Sequence, residues 1–528
     1  MITVETFKQM EMLEQLETLE NIKKTKPEGG ISALYDLYTN PIGDDAIDYM
    51  VGMTLRELLV EDETATVSGL THANPQIQKL CLQICGQQSF GAAIPVLLEL
   101  FRSQKQGEFN HDLFQALAKS GSREFVEIFR DVVNHPEEDM AAIAIDVIGK
   151  LQDESSVDRL CRIVAAGETD ENYKECGLAT GAAIEALGRI PGEKAVSFLV
   201  SKLHYRNPTG RLLIHQALVK KGSEVIPKFE AVFAGNDIDD KIMAANVLGM
   251  IGDKKGGEIL ISAMDTGVIQ NANVKYAVYE ALGYMQFLKG TVFLMDGLLE
   301  QDPLLLTAVM TSLDSQLNPG VIKKLFELIR HDEQQGERLI QAIVTSRAMN
   351  IFESLYVEAD IAKLLIAEIA SMKDRILIDM FQEKLTAIGT EAAIQDARVL
   401  SGVTVAKGAK TILVVDDSKA MLAFFRATLS GFGLTVVTAE NGKRANDLLL
   451  LGQHADLIFT DMNMPEMDGI EFTRLTRKNA VTQNTPVVMI STESEMSQVE
   501  LAKEAGVNGI LNKPFTKEKL KETVETYL

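Results

Sequence analysis

The chain has 528 residues, which is room for roughly two to four domains of ordinary size. At 46% hydrophobic and 24% charged it has the composition of a soluble globular protein rather than a disordered or fibrous one. The net charge of −23 argues against a nucleic-acid partner, whose phosphates would be repelled.

The first residues, Met1-Ile2-Thr3-Val4-Glu5-Thr6, lack the basic region and long apolar core of a signal peptide. No run of about 18 apolar residues exists to span a membrane. Cytoplasmic residence follows as the expectation. Residues 5–24 place Met10, Leu13, Leu16 and Leu19 at threefold spacing, predicting one amphipathic helix in an N-terminal segment 1–30. Lys26-Pro27-Glu28-Gly29-Gly30 ends it.

From about residue 31 to 400 helical periodicity dominates, and a short motif recurs. Gln83-Ile84-Cys85-Gly86, Gln115-Ala116-Leu117-Ala118, Asp146-Val147-Ile148-Gly149 and Glu185-Ala186-Leu187-Gly188 begin the series. Gln216-Ala217-Leu218-Val219, Asn246-Val247-Leu248-Gly249 and Glu280-Ala281-Leu282-Gly283 continue it. Ser312-Leu313-Asp314 and Gln341-Ala342-Ile343-Val344 are weaker members. Each closes a helix and is followed by a polar turn and a second apolar helix. The units recur about every 30–34 residues, except for one step of about 39 that holds the polar insertion 166–172. A single helix pair cannot bury its apolar face, so stacked pairs must share one core. This pattern resembles HEAT-type repeats, including the short variety of bilin lyases, over roughly 45–350. The resemblance implies an all-α superhelical solenoid over 31–400; a large irregular helical domain is the alternative.

The solenoid segment carries no catalytic constellation, so a non-enzymatic binding scaffold is expected there. Its histidines lack metal-ligand spacing. Cys81 and Cys85 stand four apart on a predicted helix as small core residues, with reduced thiols expected. Residues 401–410 are small, Gly-containing and unpatterned, which predicts an interdomain linker.

Beyond it the pattern changes. Thr411–Val415 is an apolar, β-branched run leading into Asp416-Asp417, and Ala455–Thr460 is another ending on Asp461. Leu434–Thr438, Pro486–Ile490 and Asn508–Asn512 are three more. The five runs alternate with helix-like segments starting near 418, 442, 470, 495 and 516, which predicts a parallel sheet covered on both faces. Sites in such sheets lie beyond the carboxyl ends of the strands. Asp416, Asp417 and Asp461 converging there would repel one another unless a cation neutralised them, and an all-oxygen donor set suits Mg²⁺. The alternative, that each Asp only caps the following helix, accounts for one of them but poorly for a pair plus a third.

The whole constellation, in order, resembles the response-regulator receiver domain over about 411–528. It comprises the acidic pair, Asp461 followed by Met464-Pro465-Glu466-Met467-Asp468-Gly469, Ser491 after the fourth strand and Lys513-Pro514 after the fifth. The resemblance implies an α/β flavodoxin-like (βα)5 fold with strand order 2-1-3-4-5. It implies Asp461 as phosphoacceptor, and Asp416, Asp417, Asp461 and the backbone carbonyl of Asn463 as the Mg²⁺ set. Ser491 and Lys513 would contact the phosphoryl group. It further implies two-component signalling, with a histidine kinase or phosphotransfer protein as partner and a protein target for the solenoid. The alternative function is a bilin-lyase-type enzyme or chaperone tethered to a receiver. Two positions depart from the family: Ile510 replaces the usual aromatic, and Thr492 a smaller residue. The expected transmitting surface is therefore the loop and helix at 492–506, the fifth strand and the last helix, facing the solenoid or a partner.

Overall fold

A computed structural model describes residues 3–528, except 104–110, 170–175, 373, 404–409, 465, 492–495 and 514. Most of the linker, part of the polar insertion, Thr492 with its loop, and Pro514 therefore lie outside the described residues. The chain forms two compact units: Met1–Ile163 with Gly177–Ile190, and Val164–Cys176 with Pro191–Leu528. No described helix is long and apolar enough to cross a membrane.

Where one N-terminal helix was expected, the first unit has two, Val4–Lys8 and Met12–Thr25. Thr3 and Thr6 form a reciprocal cap on the first, and Glu11 starts the second afresh. Each recurring motif then falls in the last turn of a helix. In the first unit these helices are Pro75–Gln87, His111–Ser120, Glu138–Lys150 and Leu178–Arg189. In the second they are Pro208–Lys221, Ile238–Ile251, Ala272–Gly283, Pro303–Ser315 and Glu333–Ser346. Asn74-Pro75, Asn207-Pro208 and Asp302-Pro303 start three of them by one device, an Asx side chain capping the helix and Pro in its first position.

The small residue closing the motif has a packing cause. A Cβ on Gly149 would lie 2.7 Å from Ala186 Cα, and one on Gly249 would lie 2.9 Å from Ala281 Cα. Successive motif helices thus touch backbone to backbone inside each unit. Gly249→Ala should gain helix propensity, worth ~1 kcal/mol, yet lose more to overpacking against a neighbouring main chain, ~1–3 kcal/mol. Urea denaturation should show net destabilisation, whereas Gly431→Ala, which meets nothing within 4 Å, should be neutral or stabilising.

The carboxyl-terminal part of the second unit carries the sheet: β1 (Thr411–Val415), β2 (Thr435–Ala439), β3 (Leu457–Asp461), β4 (Val487–Ser491) and β5 (Gly509–Asn512). All pairs are parallel and the order is β2-β1-β3-β4-β5. Ile412, Leu413, Val414 and Val415 are fully buried, as are Val487 to Ile490, because helices cover both faces. Strand order reverses between β1 and β3, so their carboxyl ends open onto a crevice.

Candidate functional site

Three predicted side chains, Lys513, Asp461 and Asp416, meet at that crevice. Lys513, just past β5, places its Nζ 2.8 Å from Asp461 Oδ1 and 3.2 Å from Asp416 Oδ2. Its own N–H donates to the Ser491 carbonyl at 2.8 Å, fixing the β5 end to the β4 end. Asp461 Oδ2 accepts from the Asn463 N–H at 3.0 Å, and Asp416 Oδ1 from the Ser418 N–H at 2.9 Å. Ser491 is buried beside Met462. Gly469 is needed because a Cβ there would collide with the Asp461 carbonyl oxygen.

Capping does not explain these acids. The helix after β1, Lys419–Gly431, is capped by Ser418, whose Oγ accepts from the Met421 N–H at 3.0 Å. The helix after β3, Gly469–Lys478, is capped by Asp468, which accepts from the Glu471 N–H at 2.8 Å. Asp416, Asp417 and Asp461 are surplus to both tasks, and carboxylates crowded at strand ends with no capping role point to a site.

The electrostatics agree. Burial, opposed by Lys513 and reinforced by Asp461, pushes the Asp416 carboxyl up to about 6. Asp417 keeps surface open to solvent, but desolvation of its carboxyl and the charges of Asp416, Asp461 and Glu280 drive it well above the carboxylate range. Burial opposes the charge on Lys513, yet Asp416 and Asp461 outweigh it and hold the ammonium. One lysine thus faces a larger acidic set. A hard divalent cation is the species whose charge and oxygen preference fit that surplus. Among the described residues, His204, Asp237 and Asp240 are the three potential ligands whose donor atoms lie within 4.8 Å of one another. Around Asp461, by contrast, Lys513 bridges the carboxylates.

The sequence reading missed one member of the site. Glu280, in the repeat helix Ala272–Gly283, accepts from Ser418 Oγ at 2.5 Å, and Tyr276 of the same helix hydrogen-bonds that Oγ. Burial, with Asp416 adding to it, pushes the Glu280 carboxyl up to about 7, and burial with Glu280 raises the Tyr276 hydroxyl.

The surface presented to the repeats also differs from the expected one. Helix Lys419–Gly431 packs on Pro303–Ser315 and Glu333–Ser346, and more lightly on Ala359–Met372. Its Met421, Leu422, Ala423 and Phe424 are buried, as are the sheet-facing Ala420, Phe425 and Leu429. At its far end Ser430 Oγ donates to Asp374 Oδ2 at 3.0 Å. Phe424 and Phe425 stand 6.3 and 5.4 Å from Phe515, two residues past Lys513. The repeats therefore grip the helix that starts at the acidic pair. The fifth strand and last helix are not their main contact. The cause is composition: a helix apolar all round needs cover on both sides.

A model of the family described as "Response regulator receiver domain" matches residues 412–525. A "Chemotaxis protein CheY homolog" of Campylobacter jejuni is 40% identical over 118 residues, covering 22% of this chain and 91% of that protein. Among solved structures, the Vibrio cholerae chemotaxis protein CheY4 is 33% identical, with 23% of this chain and 100% of that one covered and a TM-score of 0.22. The receiver domain of a Pseudomonas aeruginosa sensor histidine kinase, solved with magnesium in its active-site cleft, is 25% identical. It covers 23% and 98% of the two chains at a TM-score of 0.22.

Proposed function

Because the chain belongs, through residues 412–525, to the response regulator receiver domain family, we propose that Asp461 accepts a phosphoryl group and that the repeats are the output it controls. The donor is a phosphohistidine of a partner kinase or phosphotransfer protein. A carboxylate oxygen of Asp461 attacks phosphorus, the phosphorus–nitrogen bond breaks, and the imidazole leaves. Asp416, Asp417, Asp461 and the Asn463 carbonyl would hold Mg²⁺, which would neutralise charge on the transferring group. Lys513 shifts from bridging two carboxylates to a phosphoryl oxygen, and the Ser491 hydroxyl donates to another. The repeats act as a cytoplasmic protein-binding scaffold rather than as an enzyme.

The observation that carries the reading is the position of Glu280. A residue of the repeats lies one hydrogen bond from the loop that holds the acidic pair. Phosphorylation adds about −1.5 to −2 charge at Asp461, which shares Lys513 with Asp416, and both of those charges act on Glu280. Docking of the repeats on Lys419–Gly431 is weakened as a result, which frees the contact surface for a protein target. Lys513 moving also pulls on Phe515, and through it on Phe424 and Phe425.

Hydrogen exchange on the full chain, with and without Mg²⁺ and beryllofluoride, tests this. Exchange should rise across Lys419–Gly431 and Ala272–Gly283. Changes confined to 416–418 and 461–469 would mean that the group is bound but not transmitted.

A further inference from the structure

A cleft of about 640 Å³ lies beside the docked helix, walled by Ser346 and Arg347 of the repeats and by receiver residues. Its receiver side includes Lys419, Arg426, Lys443 and Arg444, against Glu440, Asp447 and Glu466. Five cationic side chains therefore face three carboxylates, and one of those, Glu466, already pairs with Lys443 at 3.9 Å.

Arg426 is buried and Arg347 half-buried, which is unusual for two neighbouring arginines. Arg426 is only 5% exposed; its Nη2 donates to Thr438 Oγ1 at 2.6 Å, while its Nη1 has no hydrogen-bond partner among the described residues. Arg347 leaves Nε and Nη2 without hydrogen-bond partners among the described residues. It is fixed by backbone, not side chain: at φ 55° it closes helix Glu333–Ser346, its N–H reaching the Ile343 and Val344 carbonyls. Burial and the Arg426 charge together draw the Arg347 guanidinium down to about 10. Among the described residues the carboxylate acting on both is Asp374, whose Oδ2 also accepts from Ser430. Two neighbouring guanidiniums with donors to spare are a cost to the ligand-free fold.

We infer that this cleft binds a small phosphate-bearing anion, held by Arg347 from the repeats and Arg426 from the receiver. A phosphate offers several charged acceptor oxygens in the geometry that a guanidinium fork matches. Lys419 and Arg444 at the rim supply further charge for a second phosphate. Inorganic diphosphate and the phosphate arm of a nucleotide share this chemistry. Because its two anchors come from opposite sides of the interface, the bound anion strengthens docking. The site shares no residue with Asp461 and is complete in the unphosphorylated, docked state, so phosphorylation that loosens docking weakens anion binding in turn.

Calorimetric titration and thermal melting of the full chain with pyrophosphate, ADP and citrate provide the test. Pyrophosphate should bind saturably and raise the melting temperature. ADP binding more tightly than pyrophosphate would identify a nucleotide source, and equal binding an inorganic one. Arg347→Gln should weaken binding by about tenfold or more, with Arg347→Lys intermediate. Asp461→Asn should bind as wild type, which separates this site from the phosphoacceptor. Without any anion, Arg347→Gln should melt no lower than wild type, since an under-partnered charge has been removed. The inference is overturned if no probe saturates at millimolar concentration, or if citrate outcompetes pyrophosphate. It also falls if Arg347→Gln and Arg426→Gln bind normally, or if Arg347→Gln merely lowers stability with the anion response intact.

Discussion

Asp461→Asn should reduce labelling by a small phosphodonor such as acetyl phosphate to background, where the wild type takes up one acid-labile phosphoryl group. The amide has nearly the carboxylate's shape but lacks the anionic oxygen that attacks phosphorus. The loss cannot be assigned to unfolding, because Asp461 caps no helix and its ionic partner Lys513 retains Asp416 at 3.2 Å. Removing one charge from a crowded acidic set relieves repulsion, so the variant should melt at or above the wild-type temperature. Chelation of divalent cations should abolish labelling in the wild type. Asp417→Ala should lower labelling strongly and shift its metal dependence to higher concentration. Equal labelling of Asp461→Asn and wild type would remove Asp461 from the reaction.

Much of this was written in the sequence at the level of local pattern. Strand-length apolar runs ending on acids gave the parallel sheet and its site, since a buried parallel strand must be apolar on both faces and its carboxyl end is where polar groups emerge. The closing small residue of the repeat motif marked the helix that touches the next, and Gly149 and Gly249 show why size is limited there. What the pattern could not yield was the partner of each exposed position. Glu185 and Glu280 occupy the same place in two copies of one motif. Glu185 pairs with Arg189 one turn on at 2.9 Å, whereas Glu280 reaches Ser418 in another part of the chain. Periodicity is blind to that difference. The docked helix did carry a signal: Lys419-Ala420-Met421-Leu422-Ala423-Phe424-Phe425 is apolar on every side, more than a helix with one solvent face requires.

Glu280→Gln should leave the repeats docked under conditions that loosen them in the wild type. Docking holds the Glu280 carboxyl up at about 7, against an ordinary value of 4.5, because of burial first and Asp416 second. The docked state therefore binds a proton more tightly than the undocked one. Below about pH 4.5 both states are protonated and docking is strongest; as pH rises through about 7 the buried charge forms and that stability is lost. The full linkage amounts to a few kcal/mol at most. Asp416, Asp417, Lys513, Tyr276 and Tyr284 surround the same point, so the slope in wild type belongs to the cluster and the variant isolates the share of Glu280. Gln keeps the acceptor for Ser418 Oγ and carries no charge, so protection of the Lys419–Gly431 amides, corrected for the intrinsic exchange rate, should fall less steeply between pH 5 and 8 than in the wild type, the remaining slope belonging to Asp416 and Asp417. The same substitution should blunt the response to beryllofluoride, because the added negative charge no longer meets a carboxylate. If Glu280→Gln undocks with beryllofluoride as readily as wild type, the charge at Asp461 is read through Lys513 and Phe515 alone, and Glu280 is a packing residue.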